Sequence, residues 1–271
     1  MPTAVGTVRE AVEAAADALG AAGCDTPRLD AEVLIADALG VGRERLHVEP
    51  AAGVEPRVAR AIGERVRRRA RREPVAYILG RRGFRHIELE VDGRVLVPRP
   101  ETELLVEVAL ELPSGARVHD VGTGSGAIAL AIADERPDLV VTASDASAAA
   151  VDVARANAAR LGLAVCVENV PGLPDGAGAA DLVVANLPYV TEADWAGLAP
   201  EIVRYEPRDA LVSGADGLDA IRALVAEAPP GLRVALEHAP AQTARVGELL
   251  AEPATLPDLA GRERVTTGRV P

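Results

Sequence analysis

The stretch Arg117-Val118-His119-Asp120-Val121-Gly122-Thr123-Gly124-Ser125-Gly126-Ala127-Ile128 reads as a strand delivered into a glycine-rich turn and straight on into a helix. Glycines at 122, 124 and 126 let the backbone turn tightly and let a ligand approach the free N–H groups of the helix start, which favour electronegative atoms. Gly122, Gly124 and Ala127 also satisfy the dinucleotide-binding pattern in its Ala-ending form, and Asp145, 21 residues beyond Gly124, is suited to grip a ribose. Taken alone, the loop fits either a nicotinamide dinucleotide or S-adenosylmethionine. Asp120, just before the glycines, suits a ligand bearing an ammonium group better than a pyrophosphate.

Outward from this loop the pattern alternates. Strands are expected over 117–121, 139–144, 164–168, 181–185 and 232–237, and helices near 126–135, 147–160, 216–228 and 241–251. Such alternation implies a parallel sheet covered on both faces, with ligands at the carboxyl ends of its strands. The fourth strand delivers Asn186-Leu187-Pro188-Tyr189 to that same edge. An amide or exocyclic amine is a poor nucleophile because its nitrogen lone pair is delocalised. The Asn186 side-chain carbonyl and the Leu187 main-chain carbonyl are suited to accept its two N–H bonds and raise electron density on nitrogen. Pro188 restricts Leu187 to extended geometry, and Tyr189 is suited to pack on the planar group.

Upstream, residues 1–75 read as a small helical bundle. Thr7 and Glu10 form a capping box before Val8, Val12, Ala15 and Leu19; Thr26-Pro27 starts a second helix with Leu29, Val33, Leu34 and Leu39, closed by Gly40. Pro56 opens a third, with Val58, Ile62 and Val66 as its stripe. Its end carries Arg65, Arg67, Arg68, Arg69, Arg71 and Arg72. A run of this kind is ordinarily a solvated helix face; a docking surface for an acidic partner is the other reading. From Arg81 the period changes. Phe84, Ile87, Leu89 and Val91 suggest a strand, Asp92-Gly93 a turn, and Val95-Leu96-Val97 the return of a β-hairpin.

Across 271 residues all 29 basic side chains are Arg, against 41 acids, for a net charge of −12, and aromatics are 2%. That balance argues against affinity resting on broad phosphate neutralisation and base stacking. No run of 18 apolar residues occurs, and Glu10, Glu13 and Asp17 stand where a signal peptide would be apolar, so a soluble, cytoplasmic protein is expected. Cys24 and Cys166 read as packing residues, and the four histidines form no ligand pair, so no metal site is expected.

Several stretches together resemble the HemK/PrmC family of release factor glutamine methyltransferases. They are residues 72–80 (Arg-Glu-Pro-Val-Ala-Tyr-Ile-Leu-Gly), 97–107 (Val-Pro-Arg-Pro-Glu-Thr-Glu-Leu-Leu-Val-Glu), the glycine loop, 186–189, 205–211 (Tyr-Glu-Pro-Arg-Asp-Ala-Leu) and Asp216-Gly217-Leu218. The resemblance implies an α/β fold: a Rossmann-like S-adenosylmethionine-dependent methyltransferase domain (101–271), preceded by an all-α substrate-recognition bundle (1–80) and a β-hairpin linker (81–100). It implies methyl transfer to the glutamine side-chain nitrogen in the Gly-Gly-Gln motif of peptide chain release factors. By position, Asp120, Gly122, Thr123, Gly124, Ser125 and Gly126 would cradle the methionine part, Asp145 would bond the ribose, and Asn169 and Val170 would border the adenine. Asn186 would touch cofactor and substrate, and Leu187, Pro188 and Tyr189 would complete the glutamine pocket. No membrane association is implied, and direct binding of nucleic acid is not expected.

Glu101 and Glu103 carry two readings, complements to a helix dipole or contacts beside the site. Leu187 stands where the family usually has Pro, Asn169 where an acid is usual, Val170 where a bulky ring is common, and Glu237-His238-Ala239 departs from a more glycine-like continuation. Asn-Leu-Pro-Tyr is also similar to the tetrapeptide of ribosomal RNA adenine dimethyltransferases. Two alternatives therefore stand beside the main reading: an amino-methyltransferase acting on adenine of RNA or DNA, and a non-catalytic cofactor-binding relative.

Overall fold

The computed structural model describes residues 4–271; residues 1–3 of the expected 1–80 segment lie outside the described residues. The chain runs through α1 (Val8–Ala21), α2 (Pro27–Leu39), α3 (Arg43–Val48), α4 (Pro56–Ala70) and α5 (Val75–Leu79), then β1 (Arg81–Phe84) and β2 (Ile87–Glu90). Next come α6 (Glu103–Leu110), β3 (Arg117–Val121), α7 (Ala127–Glu135), β4 (Val140–Ser144), α8 (Ala148–Leu161), β5 (Cys166–Glu168) and β6 (Leu182–Ala185). The last elements are α9 (Pro200–Tyr205), α10 (Asp219–Glu227), β7 (Arg233–Glu237), α11 (Thr243–Gly247), β8 (Ala251–Pro257) and β9 (Glu263–Arg269). Two compact units result: residues up to Gly80 with Ala199–Tyr205, and Arg81–Leu198 with Glu206–Pro271.

The first unit is helical. Thr7 and Glu10 close a capping box at α1, and Gly40 ends α2 in the left-handed conformation with φ +68°. Val12, Leu19, Ile35 and Ile62 share its core, whereas Leu29 is exposed and Asp30 and Glu32 are buried in its place. Buried and half-buried acids take most of the arginines at this helix end, while Arg67 and Arg71 remain exposed as a solvated face would have them. Arg69 is 6% exposed and donates to Asp30 at 2.6 Å and to Glu201 at 2.7 Å. Arg72 grips the Glu201 carboxylate with Nε and Nη2 at 2.7 and 2.8 Å. Arg65 pairs with Asp37 at 2.7 Å and Arg68 with Glu73 at 2.8 Å, and Arg67 lies on the surface with Glu64. Glu201 reaches the unit on α9, a segment more than a hundred residues downstream, so nothing near α4 in sequence announces it.

The second unit holds a seven-stranded sheet in the order β5-β4-β3-β6-β7-β9-β8, parallel from β5 to β7 and antiparallel at β9 and β8. All four residues of β6 are buried, as expected of a strand covered on both faces. Residues 127–132 of α7 are buried too, so this helix is enclosed rather than amphipathic. The expected helix over 241–251 shrinks to α11, and the chain then pairs as β8 with β9, two strands missed because β8 is mostly exposed and lacks apolar alternation. The β-hairpin is present, but its turn is Arg85-His86. Phe84 pairs with Ile87 and Arg81 with Glu90, while the Asp92 carboxylate folds back on the Arg94 N–H at 3.0 Å and makes a local turn beyond the hairpin. Cys24 is buried, but Cys166 lies exposed on the edge strand β5 rather than packed. No helix among the described residues is long and apolar enough to cross a membrane, and no group of three or more His, Cys, Asp or Glu there is placed to hold a metal ion.

Candidate active site

The strand order reverses direction at β3, whose neighbours are β4 on one side and β6 on the other. This is the switch point at which open α/β sheets leave a crevice beyond their carboxyl ends. The loops leaving β3 and β6 are therefore adjacent. A Cβ added at Gly122 would lie 3.0 Å from Leu187 Cδ2. Gly122, Gly124 and Gly126 all have positive φ, at +74°, +57° and +86°. A methyl at Gly126 would meet Leu130 at 2.8 Å, whereas nothing lies within 4 Å of one at Gly124. The space beside Gly124 is thus open to a ligand.

Asp120 is fully buried under this loop. Its Oδ2 accepts from the Thr123 hydroxyl at 2.6 Å and the Ala129 N–H at 3.2 Å; its Oδ1 has no partner among the described residues. Burial pushes its carboxyl up to about 7 against those two hydrogen bonds, with the Asp145 charge adding to the rise. Next to it, His119 is held neutral, since burial depresses it to about 4. Ser144 donates to the Gly172 carbonyl at 2.9 Å, so His119 Nε2 carries the proton that reaches the Ser144 hydroxyl at 2.9 Å. Ser125 Oγ is buried, and its carbonyl is held by the Asn157 amide at 3.0 Å, which also pairs with both backbone groups of Glu90.

Asp145 follows β4 and faces the glycine loop: Oδ2 accepts from the Gly124 N–H at 2.9 Å and Oδ1 from the Ser147 N–H at 2.8 Å. Asn169 is exposed, and its amide donates to the Asp145 and Ala146 carbonyls at 2.9 and 3.1 Å. It braces the loop that carries Asp145. Val170 beside it is half-buried.

The tetrapeptide 186–189 is half-buried throughout. Asn186 Nδ2 donates to the Thr102 hydroxyl at 3.0 Å, and no backbone N–H among the described residues takes the Leu187 carbonyl. The Tyr189 hydroxyl donates to Glu237 at 3.2 Å, and burial together with that carboxylate raises its pKa. Tyr189 is anchored at its tip as well as presenting a ring. Glu237 is 1% exposed; burial pushes it up to about 7, with the Thr102 and Tyr189 hydroxyls and Arg264 opposing and Glu101 reinforcing.

Parts of the quoted stretches 97–107, 206–211 and 216–218 meet around the tetrapeptide. Glu206 is buried and accepts from the Val97 N–H at 3.2 Å and from Arg99, which holds the run leading to Thr102. Gln242 donates to the Tyr189 carbonyl at 2.9 Å and to the Asp216 carbonyl at 3.1 Å, and a side chain at Gly217 would collide with that Tyr189 carbonyl. Of the acids flanking Thr102, Glu101 pairs with Arg262 at 3.1 Å and Glu103 accepts the Arg85 N–H at 3.2 Å. The residue of this run that accepts from Asn186 is thus the threonine between them. Gln242 and Asn157 were not singled out from sequence and carried no local signal; Thr102 lay inside a quoted stretch, and Glu237 stood out only as part of a departure from the family pattern, with no role read for it.

Residues 100–215 match the methyltransferase small domain family, and residues 10–80 match the PrmC N-terminal domain family. The sheet resembles the hMettl16 catalytic domain solved with MAT2A 3′UTR hairpin 6, a likeness of fold with TM-score 0.56 and 14% identity over 76% of this chain and 81% of that one. With its paired loops at the switch point, the protein is a methyltransferase. It is 41% identical to the release factor glutamine methyltransferase of Mycolicibacterium smegmatis, over 96% of this chain and 94% of that one. It is 44% identical to the enzyme of that name from Xylella fastidiosa strain Temecula1, over 90% and 94%. The chain belongs to the release factor glutamine methyltransferase family.

Proposed function

We propose that the protein transfers a methyl group from S-adenosylmethionine to the side-chain nitrogen of the glutamine in the Gly-Gly-Gln motif of peptide chain release factors. When bound, the cofactor supplies a methyl on a positively charged sulfur, open to direct displacement. The residues present fit it. The unpartnered Oδ1 of Asp120 lies buried where an ammonium group would satisfy it, and the open left-handed turn at Gly124 admits a ligand to the start of α7. Gly122, Thr123, Ser125 and Gly126 complete that cradle, Asp145 takes the ribose hydroxyls, and Asn169 and Val170 border the base.

The observation that carries the reading is the juxtaposition of Leu187 with Gly122, which brings acceptor loop and cofactor loop to one crevice. The Asn186 side-chain carbonyl and the Leu187 main-chain carbonyl accept the two N–H bonds of the glutamine amide and concentrate electron density on its nitrogen. Replacement of the usual Pro by Leu187 keeps that main-chain carbonyl, and Pro188 still holds it extended. No general base is required before the transition state, since the proton leaves the methylated amide afterwards. Positioning and electrostatics supply the rate. We assign recognition of the release factor to residues 1–80, the link to 81–100 and catalysis to 101–271, acting in the cytoplasm, with no membrane contact and no nucleic acid as direct substrate.

Labelled S-adenosylmethionine offered with unmodified release factor, and separately with ribosomal RNA, tests this. Label in the release factor is the expected result. Label in RNA alone would overturn the reading and favour an adenine methyltransferase; cofactor binding without transfer to either would favour a non-catalytic relative.

A further inference from the structure

Gln242 closes the turn that follows β7, and its side-chain amide has one end that accepts and one that donates twice. Its neighbours leave it a single orientation. Oε1 accepts from the Ala239 N–H at 2.9 Å, and both protons of the opposite end go to carbonyls, that of Tyr189 at 2.9 Å and that of Asp216 at 3.1 Å. The side chain is 6% exposed, so a bond left unmade there carries its full desolvation cost. Gly217 lets the three segments come this close: its φ is +76°, and a Cβ there would collide with the Tyr189 carbonyl.

The last residue of the tetrapeptide is thus held on several sides. Its hydroxyl sits on Glu237 at 3.2 Å, and the next N–H, of Val190, is taken by the Leu211 carbonyl at 2.8 Å. At the other end the Asn186 amide is held by Thr102 at 3.0 Å. Between these anchors Pro188 has no N–H to give, and no backbone N–H among the described residues takes the Leu187 carbonyl. The direction of that carbonyl is therefore set by the anchors on either side. We propose that Gln242 is a positioning residue for methyl transfer: with Gly217 it clamps the Tyr189 carbonyl, and so sets the Tyr189 ring and the Leu187 carbonyl against the acceptor amide.

The inference rests on the proposed glutamine methylation. Gln242→Glu, Gln242→Met, Gly217→Ala and the Gln242→Glu/Gly217→Ala pair are compared with the parent, as full chains, for kcat, KM for release factor and cofactor affinity, with melting temperature to confirm that each folds. A glutamate keeps an oxygen for the Ala239 N–H but has at most one proton for two carbonyls, so it preserves the turn and breaks the clamp. Gln242→Glu should lower kcat on the order of 100-fold, the scale of a misplaced group, with KM and cofactor affinity near the parent's. The double variant should be no slower than the slower single, because both act through the Tyr189 carbonyl. Labelling with ζ-13C tyrosine gives one signal each for Tyr77, Tyr189 and Tyr205. The signal absent from Tyr189→Phe should shift in every clamp variant while the other two stay, which reads the clamp whether or not glutamine is the acceptor. A Gln242→Glu enzyme as fast as the parent, an unshifted Tyr189 signal, or a kcat loss matched by an equal loss of cofactor affinity would overturn the proposal. If one of the three single variants does not fold, the other two decide it. A parent enzyme that leaves glutamine unmethylated would instead sink the proposed function.

Discussion

The carboxylate of Asp145 accepts the N–H of Gly124 at 2.9 Å across 21 residues, tying the end of β4 to the loop after β3. The side chain proposed to take the ribose hydroxyls thus also holds the glycine turn in shape. Asp145→Ala removes both, and charge-assisted hydrogen bonds contribute about 1.5–3 kcal/mol each. Cofactor affinity should fall between about 10- and 100-fold by titration calorimetry while the fold survives, because Asp145 lies on a loop. Asp145→Asn keeps an acceptor for Gly124 and should fall between the two. Equal affinities for Asp145→Ala and the parent would show that Asp145 has another role.

The glycine loop makes a graded prediction. Gly126 has φ +86° and Leu130 2.8 Å from any added Cβ, and Leu130 is fully buried in α7. Gly126→Ala should destabilise by about 2–4 kcal/mol, combining left-handed strain with overpacking. At Gly124 the space is open, so Gly124→Ala should lose only the backbone term, about 1–2 kcal/mol. Denaturant midpoints of the two variants measure the difference, and equal losses would contradict it.

In the helical unit, Arg69→Met leaves the buried Asp30 without its cation, while Glu201 keeps Arg72. Breaking a buried pair from one side costs about 3–5 kcal/mol. Arg67→Ala removes only a surface pair and should stay within about 0.5 kcal/mol. Chemical denaturation distinguishes this from an arginine cluster whose work is docking, for which both variants would fold with equal stability.

Asp120 sets a pH dependence for cofactor affinity. Burial raises its carboxyl to about 7, and only the ionised form attracts an ammonium group. Below pH 7 a proton must be expelled for binding, so affinity should weaken by about tenfold per pH unit as pH falls. Above pH 7 the slope should vanish until the ligand's own amine, near about 8, begins to lose its proton. Asp120→Asn should flatten the acid limb. An unchanged acid limb in that variant would assign the titration elsewhere.

Much of this was legible because local rules and the fold agree. Thr7 with Glu10 marks one helix start through a capping box and Pro27 marks another from its first turn, and the strand-glycine-helix run at 117–128 declares the first crossover of the sheet. What escaped depends on partners distant in sequence. Asp92-Gly93 carries the composition of a hairpin turn, yet pairing of Phe84 with Ile87 puts the turn at Arg85-His86. The arginines of α4 read as solvated until Glu201 arrives from α9. Thr102 and Glu237 are far apart in sequence, and the fold brings one against Asn186 and the other against Tyr189.

The central claim is that the Asn186 pocket methylates one particular glutamine. Peptide mapping by mass spectrometry, after incubation with S-adenosylmethionine and unmodified release factor, reads this at single-residue level. The account predicts one additional methyl on the Gly-Gly-Gln glutamine, absent when Asn186→Ala replaces the parent enzyme although that variant still binds the cofactor. A methyl on any other residue, or an Asn186→Ala enzyme as active as the parent, would contradict it.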